Sequence, residues 1–208
     1  RLQRFTGSSA SAEKTFKKLV GTANAVGSEI GNITSIFERF SLIREDIGAT
    51  NGQIITMTDT LAKLGAIGGS SGEEISRALT QLSQGLAGGV LRAEEFNSII
   101  EQTPEVAKAI GEQMGLSLGQ MRKAMLAGEL TSEKVFKAIL GATEKTNKEF
   151  EEMPKSIAIA SQALTNDLLV DIKSSTIPLN ARVKLVASSY SDRGFGFGVA
   201  GPFGVLTT

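Results

Sequence analysis

The chain has no cysteine, no histidine and no tryptophan, and only one tyrosine. Without cysteine there is no thiol nucleophile and no disulfide. With histidine also missing, Cys/His zinc sites and imidazole acid–base chemistry are excluded. The lack of cysteine suits a cytosolic protein and a disulfide-free virion protein equally, so it leaves the compartment open. Net charge is absent too, because 22 Lys and Arg balance 22 Asp and Glu. That balance withholds the strong positive field on which nucleic-acid binding depends, so no sequence-specific nucleic-acid partner is expected. The N-terminal run is locally basic, with Arg1, Arg4, Lys14, Lys17 and Lys18 against Glu13. A solvated helix face accounts for it better than a phosphate-binding patch. No signal peptide is visible, and a first residue of Arg suits a processed or trimmed start. Long hydrophobic runs are missing as well. The longest uncharged stretch, Gly194–Thr208, is too short and too broken by glycine and Pro202 to span a bilayer.

What is present points to helices. A length of 208 residues fits one domain, with room for a sizeable core and an appendage. Apolar residues make up 41% and aromatics 5%, and ten of the aromatics are Phe. Such a core is built from Leu, Ile, Val, Ala and Phe, a palette that suits packed helices better than a β-sandwich.

The periodicity bears this out along the chain. Residues 1–9 read as a frayed lead-in. Phe16, Leu19, Val20 and Ala23 recur at helical spacing, followed by Ile30, Ile33, Ile36, Phe37 and Phe40. Gly21, Gly27 and Gly31 interrupt that stretch and predict a bend or a mobile segment. Asn51-Gly52 signals a turn, and a helix is expected over about 52–64, ended by Gly65 and Gly68-Gly69. Ser70 and Ser71 stand three residues before Glu73 and Glu74, so either pair makes a capping box. The next stripe, Ile75, Leu79, Leu82 and Leu86, stops at Gly88-Gly89. Phe96, Ile99 and Ile100 mark a short helix. Thr103-Pro104-Glu105 starts another, with Thr as N-cap, Pro at the first position and Val106, Ile110 and Met114 as its stripe. Ser117 and Gln120 cap a helix carrying Leu118, Met121, Met125 and Leu126. Thr131 caps one with Val135, Phe136, Ile139 and Leu140, running on through Lys148. Pro154 predicts a break before an amphipathic segment over 156–175 with Ile157, Ala160, Leu164, Leu168 and Ile172.

Two turns share the pattern G-x-L-x-x-E, Gly89 to Glu94 and Gly128 to Glu133, each between two helices. They are expected to meet and pair as a small two-stranded bridge, near 89–92 and 128–131. After Ile177-Pro178 the character changes. Val183, Leu185 and Ala187 alternate with Arg182, Lys184 and Val186, and Gly alternates with apolar residues from Phe195. A β-hairpin over about 182–199 is the expectation, with an apolar edge in need of cover. The fold class is therefore mainly α, a compact bundle of short and medium helices with the bridge and the C-terminal hairpin as additions. The expected organisation is a helical lead-in over 1–34, a helical domain over 35–153, an amphipathic helix over 154–177 and a Gly-rich tail or hairpin over 178–208.

Candidate chemistry is thin. Glu94 and Glu95 are neighbours, as are Glu151 and Glu152, but adjacent helical side chains point about 100° apart, so neither pair converges unaided. Asp59, Glu73, Glu94, Glu101, Glu133 and Asp167 lack any E-x-x-H or EF-hand spacing, so no metal is expected. The glycines of 65–72 precede a helix, yet no phosphate-loop or dinucleotide pattern accompanies them, and a flexible interhelical loop is the plainer reading. Ser83, Ser98 and Ser132 have no histidine to activate them, and no S-x-x-K stands at an exposed turn to supply a Ser–Lys dyad. Met114, Met121 and Met125 read as core filler before a pliable binding surface. No catalytic residue, cofactor site or metal site is expected, and the protein is read as a non-enzyme.

One resemblance is carried by many spaced elements in order. They are Leu79–Gly89 (LTQLSQGLAGG), Leu91–Ile99 (LRAEEFNSI), Glu101-Gln102-Thr103-Pro104, Ile110–Ser117 (IGEQMGLS), Gly119-Gln120-Met121 and Gly128–Glu133 (GELTSE). Over about Ser35 to Phe150 the chain resembles the N-terminal domain of tailed-phage tape measure proteins. The resemblance implies a structural protein of the virion tail that sets tail length and has no active site. It implies a chain extended inside the growing tube, made in the host cytoplasm and released when the genome is ejected. The implied partners are the tail-tube protein, a tail assembly chaperone and tail-tip proteins. Two departures stand out. Even fully helical, 208 residues would span only about 310 Å, short for a tail ruler, so a fragment or a truncated prophage product is expected. The segment from Pro178 does not resemble a helical rod.

A membrane-active helical protein is the competing expectation, and the resemblance itself implies contact with the envelope during genome passage. Balanced charge and few aromatic anchors weigh against it. A carboxylate-dependent hydrolase is the third, and would need an acidic pair within about 10 Å in a cleft. Either the leucine stripe at 75–86 or the expected hairpin could support a homo-oligomer.

Overall fold

The computed structural model describes residues 2–154 and 157–174. They form α1 (Gln3–Thr6), α2 (Ser9–Val26), α3 (Ile30–Leu42), α4 (Asn51–Ile67), α5 (Gly72–Ala87) and α6 (Ala93–Gln102). These are followed by α7 (Pro104–Met114), α8 (Leu118–Leu126), α9 (Ser132–Gly141), α10 (Thr143–Glu152) and α11 (Ile157–Ser174). The protein is mainly α, as its composition predicts. The chain divides into two units, Arg1–Ala163 and Leu164–Thr208. The described part of the second unit is the continuation of α11. The expected hairpin over 182–199 and the tail over 178–208 lie outside the described residues.

The first unit is organised around α4, which packs against α2, α3, α5, α7, α9 and α10. A helix flanked on so many sides must bury most of its circumference. Accordingly Ile54, Met57, Leu61, Ala62 and Leu64 are buried, and so are Thr58 and Thr60. The two hydroxyls are satisfied locally and across the core. Thr58 donates to the Ile54 carbonyl at 2.8 Å, and Thr60 shares a 3.0 Å hydrogen bond with Thr143. Gly65 does not end this helix, contrary to its sequence reading. It lies inside α4, and a Cβ there would sit 2.9 Å from Ile75 Cδ1, so its missing side chain lets α4 and α5 approach.

The first 34 residues are part of this core. Leu19, Ala23 and Val26 of α2 and Ile33 of α3 are buried, while Phe16 and Val20 are half-buried. Gly21 and Gly31 remain helical, and the chain breaks only at Gly27. The leucine stripe of α5 is buried throughout, against α3 and α6.

Capping follows the sequence in most places. Ser71–Glu74 and Ser117–Gln120 form reciprocal boxes, and Thr131 accepts from the Lys134 amide. A further box, Thr50–Gln53, starts α4, so Asn51 and Gly52, read as a turn, are instead the first two residues of the helix. Two predicted caps are used otherwise. Ser70 donates to the Gln102 carbonyl at 2.7 Å, and Thr103 donates back to the Ile99 carbonyl at 3.2 Å, tying both to the end of α6. The helix expected from Thr131 through Lys148 is two helices. The Ala142 amide is shared between the Ala138 and Ile139 carbonyls, which tightens the last turn of α9 and redirects α10 onto α4.

The two G-x-L-x-x-E turns do meet. Val90 and Thr131 form an isolated antiparallel bridge. The Leu91 amide donates to the Leu130 carbonyl, and the Ser132 amide to the Gly89 carbonyl, both at 2.9 Å. Gly89 and Gly128 adopt φ of 82° and 70°, a conformation open to glycine, which aims each segment at the other. Leu91 and Leu130 are buried beneath the bridge.

Candidate functional site

The acidic residues singled out in the sequence do not converge. Glu94 and Glu95 lie in the first turn of α6, where they complement the helix N-terminus. Glu73 does the same on α5, Glu101 is exposed on α6, and Glu151 and Glu152 end α10 in solvent. Asp167 belongs to α11. Glu133 pairs with Lys137 at 2.6 Å. Among the described residues no group of three or more Asp and Glu is placed to hold a metal ion.

The serines are engaged in structural bonds. Ser83 donates to the Thr80 carbonyl and Ser132 to the Leu86 carbonyl, at 2.7 and 2.6 Å, while Ser98 accepts from Gln102. None faces a lysine amine in these bonds. The glycine stretch 65–72 closes α4 and opens α5, and both its serines are bonded as described above. Met121 is core, set against Gly111, where a Cβ would come within 2.7 Å of its sulfur. Met114 and Met125 are half-buried against the core.

Two polar groupings were not read from the sequence. Lys63 reaches Asp59 at 2.7 Å and Asn147 at 2.8 Å, and Asp59 also accepts from Thr22 at 2.6 Å. This cluster joins α2, α4 and α10. The second runs along α7 and α10. Lys108 pairs with Glu105 at 3.0 Å, and Lys145 pairs with Glu112 at 2.6 Å and Glu149 at 3.7 Å. The hydrogen bond from Lys145 holds the Glu112 carboxyl below the usual carboxylate range, and Glu112 in turn raises Lys145. Their spacing in sequence, 33 residues, hides the pairing.

The surface is distinctive at α8. The sequence puts Leu118, Met121, Met125 and Leu126 on this one helix without saying which of them are covered. The structure buries only Met121 and Ala124 and leaves Leu118 45% and Leu126 79% exposed. Among the described residues α8 makes its main contacts with α6 and α7, and Leu126 and much of Leu118 lie outside them. A groove of about 420 Å³ runs beside it, walled by Ile100, Ala107, Leu116 and Met121, with Leu118 at its lip. Such an arrangement can bind apolar side chains. Its charged lining residues, Glu105, Lys108 and Glu112, are engaged in ion pairs.

Comparison with known families decides what kind of protein this is. The family described as tape measure protein matches residues 1–174. The chain belongs to the tape measure protein family. The match takes in α1, α2 and the start of α3 as well as α11, beyond the Ser35–Phe150 stretch on which the resemblance rests. No curated protein and no solved structure matches the chain. Family membership gives this tape measure protein a structural role in a phage tail, among other tail components. Among its described residues no helix is long and apolar enough to cross a membrane.

Proposed function

We propose that the helical unit of this tape measure protein is a docking module that organises tail-tube polymerisation, and that it does not itself read out length. The carrying observation is that the family match covers a chain folded back on itself. Measuring by helix rise needs a long continuous helix, whereas the longest helix wholly within the first unit, α2, has 18 residues, about 27 Å. A folded knob of this kind suits recognition. Its proposed partners are the tail-tube protein, a tail assembly chaperone during assembly in the host cytoplasm, and tail-tip proteins in the finished virion. In this reading it carries no catalytic activity.

The test is an in-frame deletion of residues 1–174 in the phage, with tails scored by electron microscopy. Loss of tails, or tubes of uncontrolled length, is expected, with rescue by the intact gene. Tails of normal number and length would overturn the reading.

A further inference from the structure

Among the described residues, two of the four exposed large hydrophobics, Leu118 and Leu126, stand on α8, a helix of nine residues. At 100° per residue, Met125, Leu118, Arg122 and Leu126 share an arc of about 100°. This stripe runs into the groove that α8 forms with α6 and α7, through Leu118 at the lip. The charge around it is not balanced. On the groove's far rim, Glu105 is held by Lys108 and Glu112 by Lys145. On α8, Arg122 and Lys123 have no acidic partner among the described residues. Lys123, in the last turn, complements the helix C-terminus. That does not account for Arg122, which lies between two bare leucines. Glu129 is the acid that follows α8, and it lines a different groove together with Lys134 and Lys137.

We propose that the α8 stripe and its groove dock an acidic amphipathic helix of a partner protein. The partner's apolar side chains enter the groove beside Met121 and cover Leu118 and Leu126. Its carboxylates meet Arg122 and Lys123. Helix-in-groove recognition needs an apolar trough and complementary charge beside it. Here the far rim is neutralised by its ion pairs, and α8 carries the cations. The inference rests on the assembly reading and names the chemistry of one partner surface.

The test uses the full chain and two labelled helical peptides with the same leucine stripe, one flanked by glutamates and one by lysines. Fluorescence anisotropy is expected to show the acidic peptide binding about tenfold or more tightly than the basic one, with affinity falling as salt rises. Leu126→Ser should abolish binding without lowering the melting temperature, because that side chain is already in solvent. The double variant Arg122→Glu, Lys123→Glu should reverse the preference, which an unfolded protein could not do. Equal binding of both peptides overturns the proposal, as does insensitivity to Leu126→Ser. Concentration-dependent self-association that Leu126→Ser removes, with no peptide bound, gives the face to a second copy of this chain and also overturns it. None of these failures touches the deletion phenotype, so the assembly reading stands or falls separately.

Discussion

Gly21 and Gly111 are both helical, and their surroundings demand opposite things of them. At Gly21 a Cβ would meet nothing within 4 Å. At Gly111 it would lie 2.7 Å from Met121 Sδ and 2.8 Å from the Leu116 carbonyl oxygen, which is backbone and cannot swing aside. Gly21→Ala is therefore expected to stabilise the fold by about 0.5–1 kcal/mol through helix propensity. Gly111→Ala should destabilise it by about 1–3 kcal/mol through overpacking. Urea unfolding of the two variants checks both signs. The α7–α10 ion pairs make a second prediction. Glu112 has a lowered folded pKa, so its contribution is present above the unfolded carboxylate value and is lost as pH falls through the folded one. Lys145 has a raised pKa, so its share is present below the unfolded amine value and is lost as pH rises through the folded one. Lys145→Met should lower the melting temperature slightly near neutral pH, by less at high salt, and not at all once the carboxylates are protonated. Thermal melts across that range would expose any pH-independent effect.

Helix ends and the bridge decide stability at the scale of elements. Ser71 caps α5 by accepting from the Glu74 amide, and the Glu74 carboxylate returns to the Ser71 amide at 2.7 Å. Ser71→Ala should cost about 1 kcal/mol, measured by chemical denaturation. Ser132 joins two elements that lie far apart in sequence, because its buried hydroxyl reaches the Leu86 carbonyl under the bridge. Ser132→Ala should cost about 1 kcal/mol and speed amide exchange at Leu91 and Ser132, whose hydrogen bonds close the bridge. Both segments were legible in sequence because each needs a glycine at its start and a leucine to bury two residues later. The breaks within 131–152 and at Gly27 were less so. Gly65 and Gly27 look alike as letters, but only the neighbouring helix tells a packing glycine from a stopping one.

At the scale of the molecule, the first 34 residues belong to the core and not to a lead-in that could be spared. Leu19, Ala23, Val26 and Ile33 are buried in the same cluster as Ile54, Leu61 and Leu79. Removing residues 1–34 strips α2 from α4 and exposes that apolar surface. The truncated chain is expected to aggregate or to lose its cooperative melt, while the full chain melts as a unit. Circular dichroism and light scattering would show it, and an intact two-state melt of the truncation would contradict the packing. The sites are where sequence reading ran short. Lys145–Glu112, Lys63–Asn147 and the bare face of α8 all depend on which helices lie side by side.

By itself the sequence determined the helical class, most caps, the buried stripes of α5 and α9, the meeting of the two glycine turns and the absence of histidine and cysteine chemistry. These are local properties, set by 3.6-residue periodicity, by side chains that reach three residues along the backbone, and by composition. Tertiary structure alone decided that α4 is surrounded, that Gly65 and Gly111 are points of close approach, and that Leu118 and Leu126 face solvent. A stripe announces only that a helix has an apolar side. Whether another element covers that side depends on packing between residues distant in sequence, and at α8 nothing in the described unit does.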